Sequence, residues 1–193
     1  MPRALIVSTS LDVASRSERL ATLYRAALVD RGLDTELISL KDYPLPPFDN
    51  GDLESLPNYK SLHAIVSGSD ALVLATPIYN WGTSAELKRF IEIVGSTPPD
   101  GRLRGAFFDK LVTFLCAAGL PHSYMAFTPT AVALMLDFKC IINPYHVYVH
   151  NRHWVEATLN DEASVALNRS ADMLVELVRC FGARTYRSEW GTS

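Results

Sequence analysis

Hydroxyl side chains are concentrated in residues 8–17, which read Ser-Thr-Ser-Leu-Asp-Val-Ala-Ser-Arg-Ser and contain no glycine. A helix is predicted to begin within this segment, and the first amides of a helix have no partner inside it. Those amides, the helix dipole and the neighbouring hydroxyls together favour an anion. Because neither GxGxxG nor GxxxxGKS/T is present, a dinucleotide pyrophosphate and a P-loop are both disfavoured. The segment therefore predicts a site for a single phosphate monoester.

The same segment also has a purely structural interpretation. Ser15 could cap the helix that follows, with Glu18 three residues later completing a capping box. Because both roles use the same residue types, the local sequence leaves the two interpretations open.

A second segment, residues 76–83, combines two aromatic rings with an amide in Thr-Pro-Ile-Tyr-Asn-Trp-Gly-Thr. Tyr79 and Trp81 could stack on a planar ligand, and Asn80 could bond to its polar edge. Its proline and glycine predict an unusual backbone path. The alternative is an ordinary turn whose aromatic rings pack on a neighbouring helix or on a second subunit.

Metal and thiol chemistry are disfavoured. The histidines of segment 145–154 (Tyr-His-Val-Tyr-Val-His-Asn-Arg-His-Trp) have no carboxylate or cysteine at a ligand-like spacing, so we predict no metal site there. Cys116, Cys140 and Cys180 are far apart and form no CxxC pair. A disulfide framework, a thiolate metal cluster and an iron–sulfur cluster are therefore not expected.

Short apolar runs rich in Val, Ile and Leu alternate along the chain with segments of helical spacing. The predicted strands are Ala4–Thr9, Thr35–Leu40, Ala71–Ala75, Leu111–Ala117 and Cys140–Val149, the last interrupted at Pro144. The predicted helices are Ser15–Arg31, Pro57–Ser69, Thr83–Val94, Phe127–Phe138 and Leu159–Phe181. Helical crossovers connect parallel strands, which predicts a doubly wound α/β sheet of order 2-1-3-4-5 with helices on both faces.

Composition limits the partners of this fold. The 193 residues are 48% hydrophobic and 20% charged, with a formal net charge of −3. We expect one globular domain over residues 1–193, with no nucleic-acid partner because there is no basic excess. No run of about 18 apolar residues predicts a membrane span, and the amino terminus does not read as an export signal. A cytoplasmic location is therefore expected.

In a doubly wound sheet, ligands bind at the carboxyl ends of the strands, where the two hydroxyl- and aromatic-rich segments fall. Both segments resemble motifs of the NADPH-dependent FMN reductase family, a flavodoxin-like branch. Its first motif, Gly-Ser-x-Arg-x-x-Ser-x-Asn-x-x-Leu, lies over residues 9–20 and is matched at Ser10, Ser15 and Leu20. Its second motif, Thr-Pro-x-Tyr-Asn-Gly-Ser followed by Leu-Lys, is matched at Thr76, Pro77, Tyr79, Asn80, Leu87 and Lys88. A third, glycine-rich loop is echoed by residues 117–120.

The resemblance implies a flavodoxin-like, FMN-dependent oxidoreductase that passes a hydride from NADPH through the flavin to a small acceptor such as free flavin or a quinone. It implies these cofactor-binding residues: Ser10, Leu11, Ser15, Arg16, Ser17, Thr76, Pro77, Ile78, Tyr79, Asn80, Trp81 and Gly119. The flavin carries the redox chemistry, so no catalytic side chain is expected. Apolar faces on the predicted helices after the third and fourth strands, together with Trp81, also predict a homodimer or a dimer of dimers. A non-enzymatic electron carrier or an FMN-binding regulatory module is the alternative.

The sequence departs from the family at a charged position. Asp12 stands where the first motif has an arginine that helps to hold the phosphate. A carboxylate there should weaken FMN binding through repulsion, unless it faces solvent, and Arg16 is a candidate for the missing positive charge. A member that has lost its flavin is a further possibility. Arg102 and Arg104 could meet the 2′-phosphate of NADP, or they could be solvated loop charges.

Overall fold

Five apolar segments form one parallel sheet in the computed structural model, which describes residues 2–97, 104–182 and 188. Its strands are β1 (Arg3–Ser8), β2 (Asp34–Ser39), β3 (Ala71–Tyr79), β5 (Leu111–Ala117), β6 (Ile141–Ile142) and β7 (Val147–Val149), with the short β4 (Gly82–Thr83) antiparallel to β3. The main order is β2-β1-β3-β5-β6, and β7 also pairs with β5. β5 is the predicted fourth strand, and β6 and β7 together occupy the predicted fifth. The predicted doubly wound order is therefore confirmed.

Helices cover both faces of the sheet, as predicted. They are α1 (Arg16–Val29), α2 (Tyr59–Ser67), α3 (Ala85–Gly95), α4 (Thr128–Phe138) and α5 (Asp161–Gly182). Alternate residues of a strand point to opposite faces. Ile6 of β1 therefore packs in the cluster of α1 and α5, whereas its neighbour Leu5 packs in the cluster of α2, α3 and α4. None of the described helices is long and apolar enough to cross a lipid bilayer.

The predicted fifth strand, residues 140–149, is divided into two pieces. β6 pairs with the start of β5 at Leu111, and β7 pairs with its end at Leu115. Between the pieces, the buried Asn143 amide donates to Thr113 Oγ1 and to the Ser170 carbonyl, both at 3.1 Å. These bonds and Pro144, which has no N–H to donate, interrupt the ladder.

The third strand is longer than predicted, because it continues through Pro77 to Tyr79. A proline is tolerated there because β1 has already ended. The last bond between the two segments runs from the amide of Thr9 to the Ala75 carbonyl at 2.9 Å. The backbone nitrogen of Pro77 points to the same side of β3, beyond the end of β1, so no strand needs its missing N–H. The chain then turns back into β4, so that α3 begins at Ala85 and not at the predicted Thr83.

The last helix also begins later than predicted. Residues 158–159 form β9 (Thr158–Leu159), which pairs antiparallel with β8 (Trp154–Val155). This small hairpin occupies the start of the predicted helix Leu159–Phe181, and α5 begins at Asp161 with its acidic first turn. Acidic side chains at that end are favoured by the helix dipole.

We expect the three thiols to differ sharply in reactivity. Cys116 lies inside β5, where burial raises the pKa of its thiol to about 12, and Cys140 is buried as well. Cys180 is exposed on α5. Because the thiolate is the reactive species, Ellman's reagent at pH 8 should label Cys180 rapidly and the other two only after unfolding.

Titration of the native and the guanidinium-unfolded protein measures this difference. Cys180→Ser should remove the fast phase. Any rapidly reacting thiol left in that variant would contradict the burial of the other two cysteines.

Candidate functional site

The carboxyl ends of β1, β3 and β5 enclose a cleft of about 290 Å³. Its lining residues are Ser10, Asp12, Ala14, Ser15, Arg16, Ser17, Pro77, Ile78, Tyr79, Ala117, Ala118 and Gly119. Connections leave β1 and β3 toward opposite sides of the sheet, so this is the topological switch point at which doubly wound folds bind ligands.

Most predicted site residues line this one cleft. Those brought together are Ser10, Ser15, Arg16, Ser17, Pro77, Ile78, Tyr79 and Gly119. The side chains of Leu11, Asn80 and Trp81 are exposed outside the lining, and Thr76 is fully buried behind it. Three lining residues, Ala14, Ala117 and Ala118, were not among those predicted to bind the cofactor. The faint match of residues 117–120 to a third family motif was the available signal for the last two.

The serines of the first loop keep hydroxyl protons available to a ligand. Ser10 Oγ accepts from the amide of Asp12 at 3.2 Å, which leaves its own proton unused by that bond. Ser15 Oγ and Ser17 Oγ are 2.9 Å apart, so one proton lies between them and the other is left over. The loop therefore presents O–H donors beside the first amides of α1.

The structural interpretation of Ser15 is also correct. Its Oγ accepts from the amide of Glu18 at 3.1 Å and caps α1. The expected capping box does not close, because the carboxylate of Glu18 bonds to Lys41 Nζ at 2.5 Å and the amide of Ser15 donates to the Asp12 carbonyl. Capping the helix and lining the cleft are thus roles of the same residue.

Asp12 does not fill the cleft. Its Oδ1 accepts from the amide of Ala14 at 2.9 Å, which forms a local turn around an exposed carboxylate. The negative charge stays at the rim, where water screens it.

A buried hydroxyl cluster lies directly behind the cleft. Thr9 Oγ1 is 2.9 Å from Ser84 Oγ, and Thr76 Oγ1 donates to the same atom at 3.3 Å. Ser84 also caps α3, since its Oγ accepts from the amide of Leu87 at 3.3 Å. Thr76, predicted to bind the cofactor, instead joins the two loops that do line the cleft.

The aromatic corner is a tight hairpin with two residues in the left-handed region. Tyr79 pairs with Gly82, and the two residues between them, Asn80 and Trp81, have φ of 48° and 61°. Such a turn ordinarily has glycine at its second central position. Tyr79 and Trp81 are 58% and 62% exposed, so neither ring is folded into the core.

Neither Arg104 nor His146 lines this cleft. Arg104 sits before β5, at the opposite end of the sheet, where it pairs with Asp109 at 3.5 Å and stacks on Phe108. Arg102 lies outside the described residues. His146 stacks on Phe127, and no group of three or more His, Cys, Asp or Glu residues in the described part of the chain could hold a metal ion.

Comparison with known sequences identifies related proteins. The family model for NADPH-dependent FMN reductase matches residues 2–152. The NAD(P)H-dependent FAD/FMN reductase of Geobacillus thermodenitrificans (strain NG80-2) is 25% identical over 126 residues, which are 64% of this chain and 63% of that protein. The chain thus matches somewhat less than two thirds of that relative's length.

Solved structures share the fold at low sequence identity. FerB, a flavoenzyme NAD(P)H:(acceptor) oxidoreductase from Paracoccus denitrificans, has a TM-score of 0.76 and 18% identity, covering 93% of this chain and 98% of that chain. The apo form of the NADH:FMN oxidoreductase EMOB has a TM-score of 0.74 and 19% identity, covering 96% and 92%. A Streptococcus pneumoniae TIGR4 flavodoxin gives 0.58 and 15%, covering 91% and 99%.

The strained corner gives a prediction about stability. Trp81→Gly should raise the free energy of unfolding by roughly 0.5–1 kcal/mol, because glycine adopts positive φ without the steric cost that a side chain brings and the exposed indole contributes little burial. Denaturant unfolding of the apo protein measures the change. Trp81→Ala is the control, since it removes the indole but keeps Cβ and the strain. Equal stability of the two variants would contradict this account.

Proposed function

The chain belongs to the NADPH-dependent FMN reductase family, and we propose that it works as an NAD(P)H-dependent oxidoreductase whose whole length forms one FMN-binding domain. One observation carries the proposal: the hydroxyl-lined loop at the start of α1 and the Pro-Ile-Tyr corner face the same cleft. The first suits a phosphate monoester and the second a planar ring, and FMN joins the two groups in one molecule.

The residues of the first loop fit a phosphate group. Ser10, Ser15 and Ser17 contribute hydroxyl donors beside the amino end of α1, and Arg16 contributes a guanidinium at the rim. The departure at Asp12 is compatible with this fit, because the amide of Ala14 holds that carboxylate in the exposed turn. We therefore do not favour a member of the family that has lost its flavin.

The remaining walls fit a planar ring. Pro77, Ile78 and Tyr79 form one wall, and the small residues Ala117 to Gly119 form another. When bound, FMN supplies the hydride-transfer chemistry between NAD(P)H and the acceptor. The residues of the two walls would bind and orient the ring and exclude water from it, and the exposed Tyr79 would border the side open to the second reactant.

We assign the acceptor to a class only: a small molecule such as free flavin or a quinone. The cleft opens to solvent beside exposed aromatic rings, which suits a planar acceptor. An electron carrier without reductase activity is the second candidate, favoured by the fold likeness to a flavodoxin. The TM-score of that flavodoxin is lower than those of the two oxidoreductases. We propose the cytoplasm as the compartment, where an exposed thiol such as Cys180 stays reduced.

We also propose a homodimer, alone or paired into a dimer of dimers, with an interface that borders the cleft. Val132, Met135 and Leu136 lie on the exposed side of α4. The first turn of this helix is tied to the aromatic corner by a 2.9 Å hydrogen bond between Thr130 and Thr83. An exposed apolar face next to a binding site is typical of a protein interface.

The function is tested by flavin binding and turnover. Micromolar FMN should lose fluorescence on addition of the apo protein, and NADPH added without oxygen should bleach the visible band of the bound flavin. Steady NADPH oxidation with a quinone or free FMN should follow, whereas a carrier would be reduced by NADPH only slowly. Absence of quenching contradicts FMN binding, and binding without turnover favours the carrier.

The interface is tested by sedimentation. The wild-type protein should sediment at twice or four times the chain mass of 21.4 kDa, and Leu136→Asp should dissociate it by placing a charge in an apolar contact. Val165→Asp is the matched control, since Val165 is equally exposed (67% against 66%) but lies on α5, on the other face of the sheet. A monomeric wild-type protein would contradict the proposed dimer.

A further inference from the structure

Arg16 places a positive charge where the helix itself disfavours one. It is the first residue of α1, at the positive end of the helix dipole. Its exposed side chain lines the cleft together with Ser15 and Ser17. The nearest carboxylate of this loop, on Asp12, accepts from the amide of Ala14. A guanidinium in this position is stabilised when an anion occupies the cleft.

The Arg16 side chain is held in place by a neutral partner. Arg16 Nη1 donates to Asn151 Oδ1, although the two residues are 135 positions apart in the sequence. An aspartate or glutamate at position 151 would form an ion pair and cancel the charge. An amide oxygen orients the guanidinium and leaves its full charge, together with its other N–H donors, available to a ligand.

Asn151 is itself part of a rigid segment. It opens a short 3₁₀ turn, Asn151–His153, in which the amide of His150 donates to His153 Nδ1 at 3.3 Å and the amide of Arg152 donates to His150 Nδ1 at 3.5 Å. Burial lowers the pKa of His150. Its Nδ1 accepts the amide of Arg152, which requires that nitrogen to be unprotonated.

The hairpin that follows the turn braces it against α1. β8 and β9 pair with each other, and the amide of Asn160 donates to the carbonyl of His153 at 2.8 Å. One turn along α1 from Arg16, the guanidinium of Arg19 lies 5.9 Å from the centre of the Trp154 ring and reaches the Glu156 carbonyl at 3.5 Å. Segment 150–160 and the amino end of α1 thus form one packed unit.

We infer that Asn151 is a positioning residue that holds Arg16 over the phosphate end of the cleft. Segment 150–160 then forms an outer wall of the phosphate site. The charge that the family's first motif carries at the position of Asp12 is supplied here from α1 and oriented by a residue that follows β7. This inference rests on the proposed binding of FMN, and it concerns the phosphate group only.

Comparison of FMN with riboflavin, which lacks the phosphate, tests the inference. Fluorescence titration of the apo protein should show that Asn151→Ala weakens FMN binding about three- to ten-fold and leaves riboflavin binding unchanged. Arg16→Gln should weaken FMN binding at least as much, and the double variant should lose little more, because the two residues act as a unit. Asn151→Asp should also weaken FMN binding, since its carboxylate neutralises the guanidinium.

Asn168→Ala is the matched control, because Asn168 Oδ1 on α5 accepts at 3.0 Å from Nη2 of Arg31, which lies in the turn after α1, remote from the cleft. It should change neither affinity. Equal weakening of FMN and riboflavin by Asn151→Ala would show a merely structural role and overturn the inference. If the wild-type protein binds FMN and Asn151→Ala binds it with the same affinity, the inference is overturned while the proposed function stands. A wild-type protein that binds neither flavin would overturn both.

Discussion

The cleft depends on one small set of buried hydrogen bonds, those among the hydroxyls of Thr9, Thr76 and Ser84. Each hydroxyl is almost fully removed from water, and a buried hydroxyl without a partner costs about 1–3 kcal/mol. The three groups satisfy one another only when the end of β1, the end of β3 and the start of α3 are all in place. The bonds thereby fix the two loops that line the cleft relative to each other.

This arrangement explains how the first loop keeps its path without glycine. In glycine-rich loops the backbone approaches the anion closely because no Cβ intervenes. Here, serine side chains provide the donors, and the buried Thr9 anchors the loop from below, so its path does not require positive φ at residues 8–17. Of the two loops, only the aromatic corner has residues with positive φ, Asn80 and Trp81. The strain therefore lies in the turn that faces solvent, while the anion loop is relaxed.

The sheet order and the position of the cleft could be predicted from the sequence because both follow from local patterns. Alternation of apolar strands with helices implies parallel pairing, and parallel pairing brings the ends of β1, β3 and β5 to one edge. The division of the fifth strand was only hinted at by Pro144, since Asn143 bonds to Thr113 of β5 and Ser170 of α5, both distant in the sequence. The bonds of Thr76 to Ser84 could not be predicted either, because a motif match does not show which side of the strand a side chain occupies.

The direction of Arg16 could not be read from its neighbours, because the residue that orients it lies at the other end of the chain. This separation has a physical consequence for recognition. A charge fixed by a residue of its own loop moves with that loop, whereas Arg16 is held between α1 and a segment that follows β7. The position of the guanidinium is therefore fixed relative to the sheet and not only relative to its own loop. Such preorganisation lowers the entropy cost of binding an anion, because a long side chain is ordered before the ligand arrives. The neutral amide of Asn151 orders the guanidinium without reducing its charge, whereas an acidic partner would neutralise that charge.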